Sequence, residues 1–404
     1  MRIGGVPDVA LPLDGIKVLD LSRVLAGPNC AAFLSDLGAG VTKIESTDGG
    51  DEARSWVPRK EGESATFLAL NRNKRGMTLN LKTEEGAQIL RKMAGEADVL
   101  VENFRAGTME RLSLGYEELS AINPRLVYCS VSAFGETGPL RDEAGYEAIM
   151  QAYSGVMSVT GEPEGDPVRC GLSFIDLTTG IISAYAVLGA LLHRERTGQG
   201  QKIETSLLET AVSLLSYHAE AYLLDGTVPE RLGSGHPSMV PYRNFQCRDG
   251  RFIFIAASND RLWERLCDAL ELDHLLEDPR FGDVIGRVEN RGELEDLVAA
   301  KVAEYDLDII HEVLREGGVP AAPVNTVDRL MNEPQVEHRR MVLPVTHSTL
   351  GEISIIGQPM KFSAMEARKT AAPPAYGEHT DEILRELGYT DEDVSALRDK
   401  GVVR

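Results

Sequence analysis

The sequence predicts an α/β protein whose larger part is built on a Rossmann-like, mostly parallel sheet. Short apolar runs of strand character alternate with helical segments up to about position 130, and this alternation is typical of βαβ units. The 404 residues exceed what a single core usually holds, and a cluster of glycines and prolines interrupts the pattern after position 225. We therefore expect a second, smaller α+β domain.

The predicted elements follow one another through short connections. Hydrophobic periodicity separates strands from helices, and a Gly-rich turn at 197–200 ends the longest helix. In chain order, the predicted strands are 16–21, 41–45, 99–102, 126–131 and 202–205, and the predicted helices are 27–37, 84–97, one near 119, 176–196 and 207–224.

The smaller domain is predicted at 226–330, between the two parts of a large domain at 1–225 and 331–404. The segment 225–237 has the Gly and Pro content of a linker, and an alternating apolar strand at 252–255 and charged amphipathic helices follow it. The tail at 377–389 predicts a loop and one short amphipathic helix.

The charge of the chain limits its partners. A net charge of -21 argues against nucleic acid and against an anionic membrane surface, because both need a basic footprint. An anionic small ligand stays open, since the first third gathers basic residues at 71–75 together with Arg54, Lys82, Arg105 and Arg111.

Several cofactor classes are disfavoured by the motifs. The glycine fingerprint of dinucleotide binders is absent after the first strand, and neither a P-loop nor a G-x-S-x-G elbow occurs. The eight histidines show no metal-ligand spacing, so we expect no metal and no tightly bound cofactor.

The cysteines and apolar segments indicate a compartment. Five widely spaced cysteines without C-x-x-C suggest no disulfide framework, which favours a reducing cytoplasm. The first 13 residues have no apolar signal-peptide core, and the longest apolar stretch, 177–192, is shorter than a span of roughly 20 residues. We expect neither a signal peptide nor a membrane helix.

Asp176 permits two interpretations. It precedes a long apolar helix with Thr178 and Thr179 in its first turn, so it is typical of a helix N-cap. The same position, near the free N–H groups and the dipole of a helix, would keep a carboxylate anionic and available as a covalent catalyst.

Other candidate residues also have a structural alternative. Glu147 is either catalytic or part of a solvated face, and Tyr146 is either beside a site or in the core. Arg23 and Arg169 suit binding of a substrate carboxylate or a surface ion pair. His236, in a Gly-rich turn, either closes over a site or joins domains.

Five segments in a fixed order carry a family resemblance. They read PLDGIKVLDL at 12–21, AGP at 26–28, LGAGVTKIE at 37–45, NRNKR at 71–75 and VENFR at 101–105. In this order they resemble the class III CoA-transferases, the family of formyl-CoA, carnitine and dicarboxylate CoA-transferases, over nearly the whole chain. The segments at 20–28, 166–169 and 236–242 are most similar to the succinyl-CoA:dicarboxylate enzymes.

The resemblance implies roles for individual residues. Asp176 would be the nucleophile, with Tyr146 and Glu147 beside it. Ser46 stands where several relatives have an arginine near the adenine of CoA, and Arg54 or Arg75 would have to compensate. The positions that would contact CoA are Val24, Leu25, Ser46, Leu79, Asn80, Lys82, Asn103, Phe104, Arg105 and Arg111.

The resemblance also implies a fold and an activity. Two protomers of the large and small domains would interlock as a homodimer. CoA would pass from an acyl-CoA such as succinyl-CoA to an acid of the glutarate, citramalate, malate or itaconate type, through an aspartyl anhydride and an aspartyl-CoA thioester. Two alternatives stay open: an α-methylacyl-CoA racemase, although Tyr146 stands where racemases have a histidine, and a non-catalytic acyl-CoA-binding homologue.

Overall fold

The computed structural model describes residues 11–404, so most of the segment in which a signal peptide was tested lies outside the described residues. The described strands are β1 (Lys17–Asp20), β2 (Gly40–Glu45), β3 (Arg59–Lys60), β4 (Glu63–Ser64), β5 (Lys74–Thr78), β6 (Val99–Glu102), β7 (Val127–Ser132), β8 (Gln201–Ser206), β9 (Tyr242–Gln246), β10 (Phe252–Ala256), β11 (Ala321–Pro323), β12 (Val342–His347) and β13 (Gly351–Ile356).

The helices connect these strands or cover their faces. In chain order the described α-helices are α1 (Ala26–Asp36), α2 (Ala65–Leu70), α3 (Glu84–Glu96), α4 (Thr108–Arg111), α5 (Tyr116–Ile122), α6 (Glu147–Tyr153), α7 (Phe174–Thr197), α8 (Leu207–Asp225), α9 (Asp260–Leu270), α10 (Val284–Glu289), α11 (Arg291–Val302), α12 (Leu307–Glu316), α13 (Val327–Met331), α14 (Pro334–His338), α15 (Thr380–Glu386) and α16 (Asp391–Asp399).

The main sheet has six parallel strands in the order β5-β2-β1-β6-β7-β8. Val18 of β1 pairs with Val41 on one side and Val99 on the other. Strands β1, β2 and β5 form one half of the sheet, from its centre to its edge in chain order. Strands β6, β7 and β8 then form the other half, again from the centre to the edge. This is the strand order of a doubly wound Rossmann-type sheet, and the predicted parallel α/β fold is confirmed.

Both faces of the sheet are covered. Because side chains alternate along a strand, Val18 and Val99 face one apolar layer and Leu19 and Leu100 face the other. The first layer contains residues of α1 and α7, and the second contains residues of α3, α15 and α16. The C-terminal segment therefore completes the core that the first strands begin.

The chain divides into two compact units. The first comprises 11–154, 170–219 and 334–404 of the described residues, with the six-stranded sheet. The second comprises 155–169 and 220–333, and contains the antiparallel sheet β11-β10-β9 and helices α9 to α12 around Trp263. The sequence did not indicate that 155–169 belongs to the second unit.

The elements differ from the predicted ones in three places. Strand β5 was not predicted, because its residues Lys74 and Arg75 lack an apolar pattern; Lys74 is nevertheless buried, and its Nζ donates to Asp20 Oδ2 at 2.8 Å. The tail at 377–389 contains the one predicted helix, α15, and a further helix that was not predicted, α16, follows it. The longest helix begins at Phe174, two residues before Asp176.

Helix α7 is also longer than the apolar stretch that was used to argue against a membrane span. Its 24 residues include an 18-residue window of mean hydropathy 1.7, so length and composition alone would let it cross a bilayer. Core helices of globular proteins share this property. In the first unit, α7 packs against α1 and β8, and 44% of that window is buried.

Candidate active site

The parallel sheet fixes where a ligand site is expected. Strand order reverses between β1 and β6, and in doubly wound sheets ligands bind outside the carboxyl ends of the strands at this reversal. A cavity of about 420 Å³ lies here, among the segments after β1, β6 and β7 and the first turns of α6 and α7. Its lining includes Arg23, Val24, Leu25, Asn103, Phe104, Arg105, Arg141, Tyr146, Glu147 and Asp176.

Asp176 lies in the first turn of α7 and is only 8% exposed. The residue before the helix is Ser173, so the interpretation of Asp176 as the N-cap is wrong. Burial and, as a smaller effect, repulsion by Glu147 together raise the pKa of the Asp176 carboxyl to about 7. The carboxylate is therefore less firmly ionised at neutral pH than its place at a helix N-terminus suggested.

Glu147 begins α6 and is 5% exposed, so the alternative of a solvated face is wrong. Its Oε1 accepts a hydrogen bond from Nε2 of Gln151 at 2.6 Å. Tyr146, the residue before the helix, is 60% exposed and lines the cavity, so it is not part of the core. Tyr146 and Glu147 thus contribute an exposed aromatic ring and a buried carboxyl group to the lining of the same cavity.

The first turn of α7 is held against α1. Asn29 Nδ2 donates to the carbonyl oxygen of Leu177 at 2.9 Å. Gly180 permits this approach, because a Cβ there would lie 2.5 Å from the carbonyl oxygen of Ala26. Close backbone contact one helical turn after Asp176 therefore sets the position of that carboxylate.

The loop after β1 is fixed by buried charges. Val24 has a φ of 67°, a conformation that costs a β-branched residue about 1–2 kcal/mol. Its N–H donates to Asp51 Oδ1 at 3.0 Å, and Asp51 in turn accepts from the buried Lys43 at 2.9 Å. Such strain in a loop is typical of functional sites, where the surrounding structure maintains it.

The loops after β1 and β6 are tied together at the reversal point. Asn103 Oδ1 accepts from the N–H of Arg23 at 2.8 Å, and Asn103 Nδ2 donates to the Arg23 carbonyl oxygen at 2.9 Å. The guanidinium of Arg23 lies 5.0 Å from the centroid of the Phe104 ring. The predicted binding segments after β1 and after β6 are therefore held together where they line the cavity.

A second cavity of about 270 Å³ collects the other predicted CoA positions in the first unit. Ser46, Leu79, Asn80 and Lys82 line it. It shares Arg23, Phe104 and Thr108 with the cavity of Asp176, and Arg111 donates to Thr108 Oγ1 at 2.8 Å. The predicted contacts thus group along two adjoining cavities.

Other predicted residues have different surroundings. Arg54 binds Glu45 at 2.7 Å with less than a tenth of its surface exposed, and Arg75 binds Glu386 at 2.8 Å. Both guanidiniums already have carboxylate partners, Arg54 in the interior and Arg75 at the surface, which weighs against either one compensating for Ser46. Arg169 and His236 belong to the second unit, and their substrate roles stay predictions.

The basic segment 71–75 is not a free anion site. Arg72 donates to Asp36 and Lys74 to Asp20, all four being buried. The cation that sequence reasoning missed is Arg141, which lines the cavity beside Asp176. It follows β7 in a segment without periodicity, so only the parallel arrangement of strands could have indicated it.

The described residues contain no cluster of three or more His, Cys, Asp or Glu side chains suited to a metal ion. All five cysteines are free thiols. What the cavity offers is a buried carboxyl with a pKa of about 7, a second buried acid and several cations around it. This arrangement suits carboxylate chemistry on an acyl group, in which Asp176 is the nucleophile and cations receive an anionic substrate.

A doubly wound sheet with two adjoining cavities at its strand-order reversal is typical of proteins that bind a nucleotide-containing ligand, a class to which CoA belongs. The chain belongs to CoA-transferase family III, whose family model matches residues 13–380. The predicted family and the predicted enzyme class, a CoA-transferase, are confirmed.

Several curated relatives match over almost their whole length. The human succinyl-CoA:glutarate CoA-transferase is 39% identical over 395 residues, which cover 97% of this chain and 90% of the human one. A succinate–glutarate CoA-transferase of Agrobacterium fabrum is 36% identical, covering 95% and 97% of the two chains. A succinyl-CoA–D-citramalate CoA-transferase of Chloroflexus aurantiacus is 36% identical, covering 97% and 98%.

Solved structures agree with the family. A CAIB/BAIF family protein from Brucella suis superposes with a TM-score of 0.84 at 38% identity, covering 94% of this chain and all of its own. A protein from Mycobacterium tuberculosis superposes with a TM-score of 0.82 at 32% identity, covering 92% of this chain and 98% of its own.

Proposed function

We propose that this enzyme moves CoA from succinyl-CoA to a short dicarboxylate or hydroxydicarboxylate of the glutarate, citramalate, malate or itaconate type. The observation that carries the proposal is the buried Asp176 carboxyl at the strand-order reversal, beside Glu147. Relatives that cover nearly the whole chain are named for succinyl-CoA and a dicarboxylate, which supports the substrate class.

The first half-reaction loads the enzyme. The ionised carboxylate of Asp176 attacks the thioester carbonyl of succinyl-CoA, the C–S bond breaks, and the CoA thiolate leaves a mixed succinyl-aspartyl anhydride. The thiolate then attacks the aspartyl carbonyl, and succinate departs as a carboxylate. Asp176 now carries CoA as a thioester, so the free energy of the donor thioester is retained in a covalent bond.

The second half-reaction reverses these steps with the acceptor. One acceptor carboxylate attacks the aspartyl thioester and expels the CoA thiolate, which forms an acceptor-aspartyl anhydride. The thiolate attacks the acceptor carbonyl, and Asp176 leaves as a carboxylate. No proton is gained or lost in the exchange, but water must be kept away because the anhydride and the thioester both hydrolyse.

We assign the two adjoining cavities to CoA. The cavity of Ser46, Asn80 and Lys82 would take the nucleotide end, and the thioester would lie in the cavity of Asp176. In the cavity of Ser46, Lys82 is a cation available to a phosphate of CoA, and Arg23 lines this cavity as well. Tyr146 and Glu147 would orient the acyl group at the nucleophile.

We assign the far carboxylate of the acceptor to Arg23, which the Asn103 clamp and the Phe104 ring hold in place. Arg23→Ala is expected to raise the KM of the acceptor more than that of succinyl-CoA, because CoA supplies most of the donor's binding. An unchanged acceptor KM would show that another cation, such as Arg141 or Arg169, has this role.

The test of the proposed function traps the covalent enzyme. The protein is incubated with succinyl-CoA, quenched separately with hydroxylamine and with borohydride, digested, and mapped by mass spectrometry. We expect modification at Asp176 only, and none in Asp176→Asn or without succinyl-CoA. Transfer activity is then measured with the four acids as acceptors.

Two outcomes would contradict the proposal. Modification at another residue in an enzyme active for transfer would refute the mechanism. Exchange of the α-proton of a 2-methylacyl-CoA with deuterated solvent, without transfer to any acid, would indicate the racemase alternative. CoA binding without either reaction would indicate a non-catalytic homologue.

We also propose that the enzyme is an interlocked homodimer. Helices α7 and α8 leave large apolar side chains exposed, among them Tyr185 at 77% and Tyr217 at 54%. Exposed apolar patches of this kind are typical of surfaces that a partner covers. The cytoplasmic location suggested by the cysteines, and the expectation of no tightly bound cofactor, stay predictions.

A further inference from the structure

Gln151 is a buried polar residue on α6 whose side-chain amide forms hydrogen bonds through both its nitrogen and its oxygen. It lies one helical turn after Glu147 and has no exposed surface. Its Nε2 donates to Glu147 Oε1 at 2.6 Å and lies 3.3 Å from the carbonyl oxygen of Leu172. Its Oε1 accepts a hydrogen bond from the N–H of Cys170 at 2.8 Å.

These bonds connect the two acids of the site. The segment from Cys170 to Leu172 leads directly into α7, where Asp176 follows four residues after Leu172. One side chain therefore holds Glu147 on one helix and the approach to Asp176 on the next. A buried amide with both ends engaged is costly to disturb, because each lost partner leaves a buried polar group unsatisfied.

We propose that Gln151 is a positioning residue of the transfer reaction, which fixes Glu147 against the segment that carries Asp176. The inference deepens the proposed function and rests on it. Gln151 does not line the cavity, so it acts through Glu147 and the chain at 170–172.

The amide also influences the charge at the site. Glu147 raises the pKa of Asp176 by repulsion, after the larger effect of burial, and the hydrogen bond from Gln151 Nε2 holds Glu147 in the place from which it acts. The other charged side chains that line the cavity are Arg23, Glu52, Arg105, Arg141 and Glu143. None of them contacts Gln151 in the described structure, so a substitution at Gln151 leaves them in place.

The test replaces the amide by groups of similar length. Gln151→Met removes both hydrogen-bonding ends, and Gln151→Glu keeps the acceptor for Cys170 but loses the donor to Glu147. We expect kcat to fall about 10- to 100-fold, as for a small displacement of reacting groups, with the KM of succinyl-CoA changed less than about threefold. The acid limb of the kcat profile should move to lower pH in Gln151→Met, because Glu147 is no longer held in the position from which it repels Asp176.

The chain offers a matched control. On α3, Gln88 Nε2 donates to Glu84 Oε1 at 3.2 Å with the same spacing of four residues, but on the protein surface. Gln88→Met should leave kcat, KM and the pH profile unchanged. Circular dichroism and thermal unfolding establish whether each variant is folded. If Gln151→Met does not fold, the kinetic comparison is made with Gln151→Glu.

The outcomes separate the two proposals. A folded Gln151 variant with wild-type kcat and an unmoved acid limb overturns the positioning role, provided that the wild-type enzyme is trapped at Asp176. A kcat loss that thermal instability accounts for, with no change in the pH profile, overturns it as well, because it indicates a structural role alone. Trapping of the wild type at another residue refutes the proposed function itself.

Discussion

Asp176 is a residue whose burial opposes folding. Its pKa rises from an ordinary 3.8 to about 7, so between these pH values the native protein binds more protons than the unfolded chain. The free energy of unfolding therefore falls as the pH rises through this range, and the whole penalty is present above about pH 7. At 1.36 kcal/mol for each pKa unit, the penalty is on the order of 4 kcal/mol.

We predict that Asp176→Asn is inactive but more stable than the wild type by about 2–4 kcal/mol at pH 8, since the amide has the same shape and cannot ionise. The gain should shrink as the pH falls and vanish near pH 4. Urea unfolding at several pH values measures it. The exposed Asp399→Asn, as a control, should change stability by less than about 0.5 kcal/mol at every pH. A gain independent of pH, or a loss at pH 8, would contradict the assignment.

The candidate site could be predicted only in part at the scale of residues. The family resemblance singled out Asp176 and Glu147, whereas their burial depends on packing that local sequence does not show. Arg54 and Lys74 were grouped with the cations open to an anionic ligand, but Glu45 and Asp20 respectively neutralise them. Gln151 was missed because a lone glutamine in a helix has no motif.

At the scale of elements, the contact of α1 with α7 positions Asp176. Gly180→Ala would put a Cβ 2.5 Å from the backbone oxygen of Ala26 and 2.8 Å from Asn29 Cβ. Backbone cannot yield as a flexible side chain can, so the helices must separate. We predict a loss of about 1–3 kcal/mol in stability despite the better helix propensity of Ala, and at least a tenfold loss of kcat. Urea unfolding and initial-rate assays measure the two effects.

Gly95→Ala is the control for this substitution. Gly95 lies on the exposed side of α3, where a Cβ would meet only the side chain of Ile122 at an ordinary 3.6 Å. This variant should be as stable as the wild type or more stable by up to about 1 kcal/mol, with full activity. Equal behaviour of the two glycine variants would show that the α1–α7 contact does not position Asp176.

Most strands of the six-stranded sheet could be predicted, because β1, β2, β6 and β7 are short runs rich in apolar residues between helical segments. Strand β5 could not, because a buried Lys74 gives it a polar sequence that only the pairing with Asp20 explains. The hairpin of β12 and β13 was missed for a different reason. Many of its side chains are exposed or half-buried, so hydrophobic alternation is weak there.

At the scale of the whole molecule, glycine and proline content near position 225 predicted a domain boundary there. The membership of 155–169 in the second unit was not predicted, because the Gly- and Pro-containing stretch at 161–167 resembles an ordinary loop and does not show that the chain leaves and re-enters the first unit. Contacts between distant segments decide this, such as the Arg231 side chain, which donates to the Gly165 carbonyl oxygen at 2.8 Å. Sequence-local reasoning has no access to such pairs.

The exposed face of α7 gives the last prediction. Ile181, Tyr185 and Leu192 lie on one stripe of this helix and are 49%, 77% and 56% exposed, an apolar surface that water alone would not favour. If a second copy covers it, light scattering should give twice the chain mass of 44.1 kDa at micromolar concentration. Tyr185→Glu combined with Leu192→Glu should reduce that mass to the monomer or prevent folding, because burying two unpaired carboxylates costs several kcal/mol.

The matched control is Ile309→Glu, which places the same charge on an exposed apolar position of α12 and should leave the dimer intact. A wild-type protein of 44.1 kDa in light scattering would refute the dimer. Stable binding of the wild type to lipid vesicles would instead assign the stripe to a bilayer, which the length of α7 allows. The dimer is favoured because Asp176 lies in the first turn of α7. If α7 spanned a membrane, the carboxyl that we propose to be catalytic would be drawn toward the bilayer. A second protomer can instead cover the stripe and keep water from the proposed acyl intermediates.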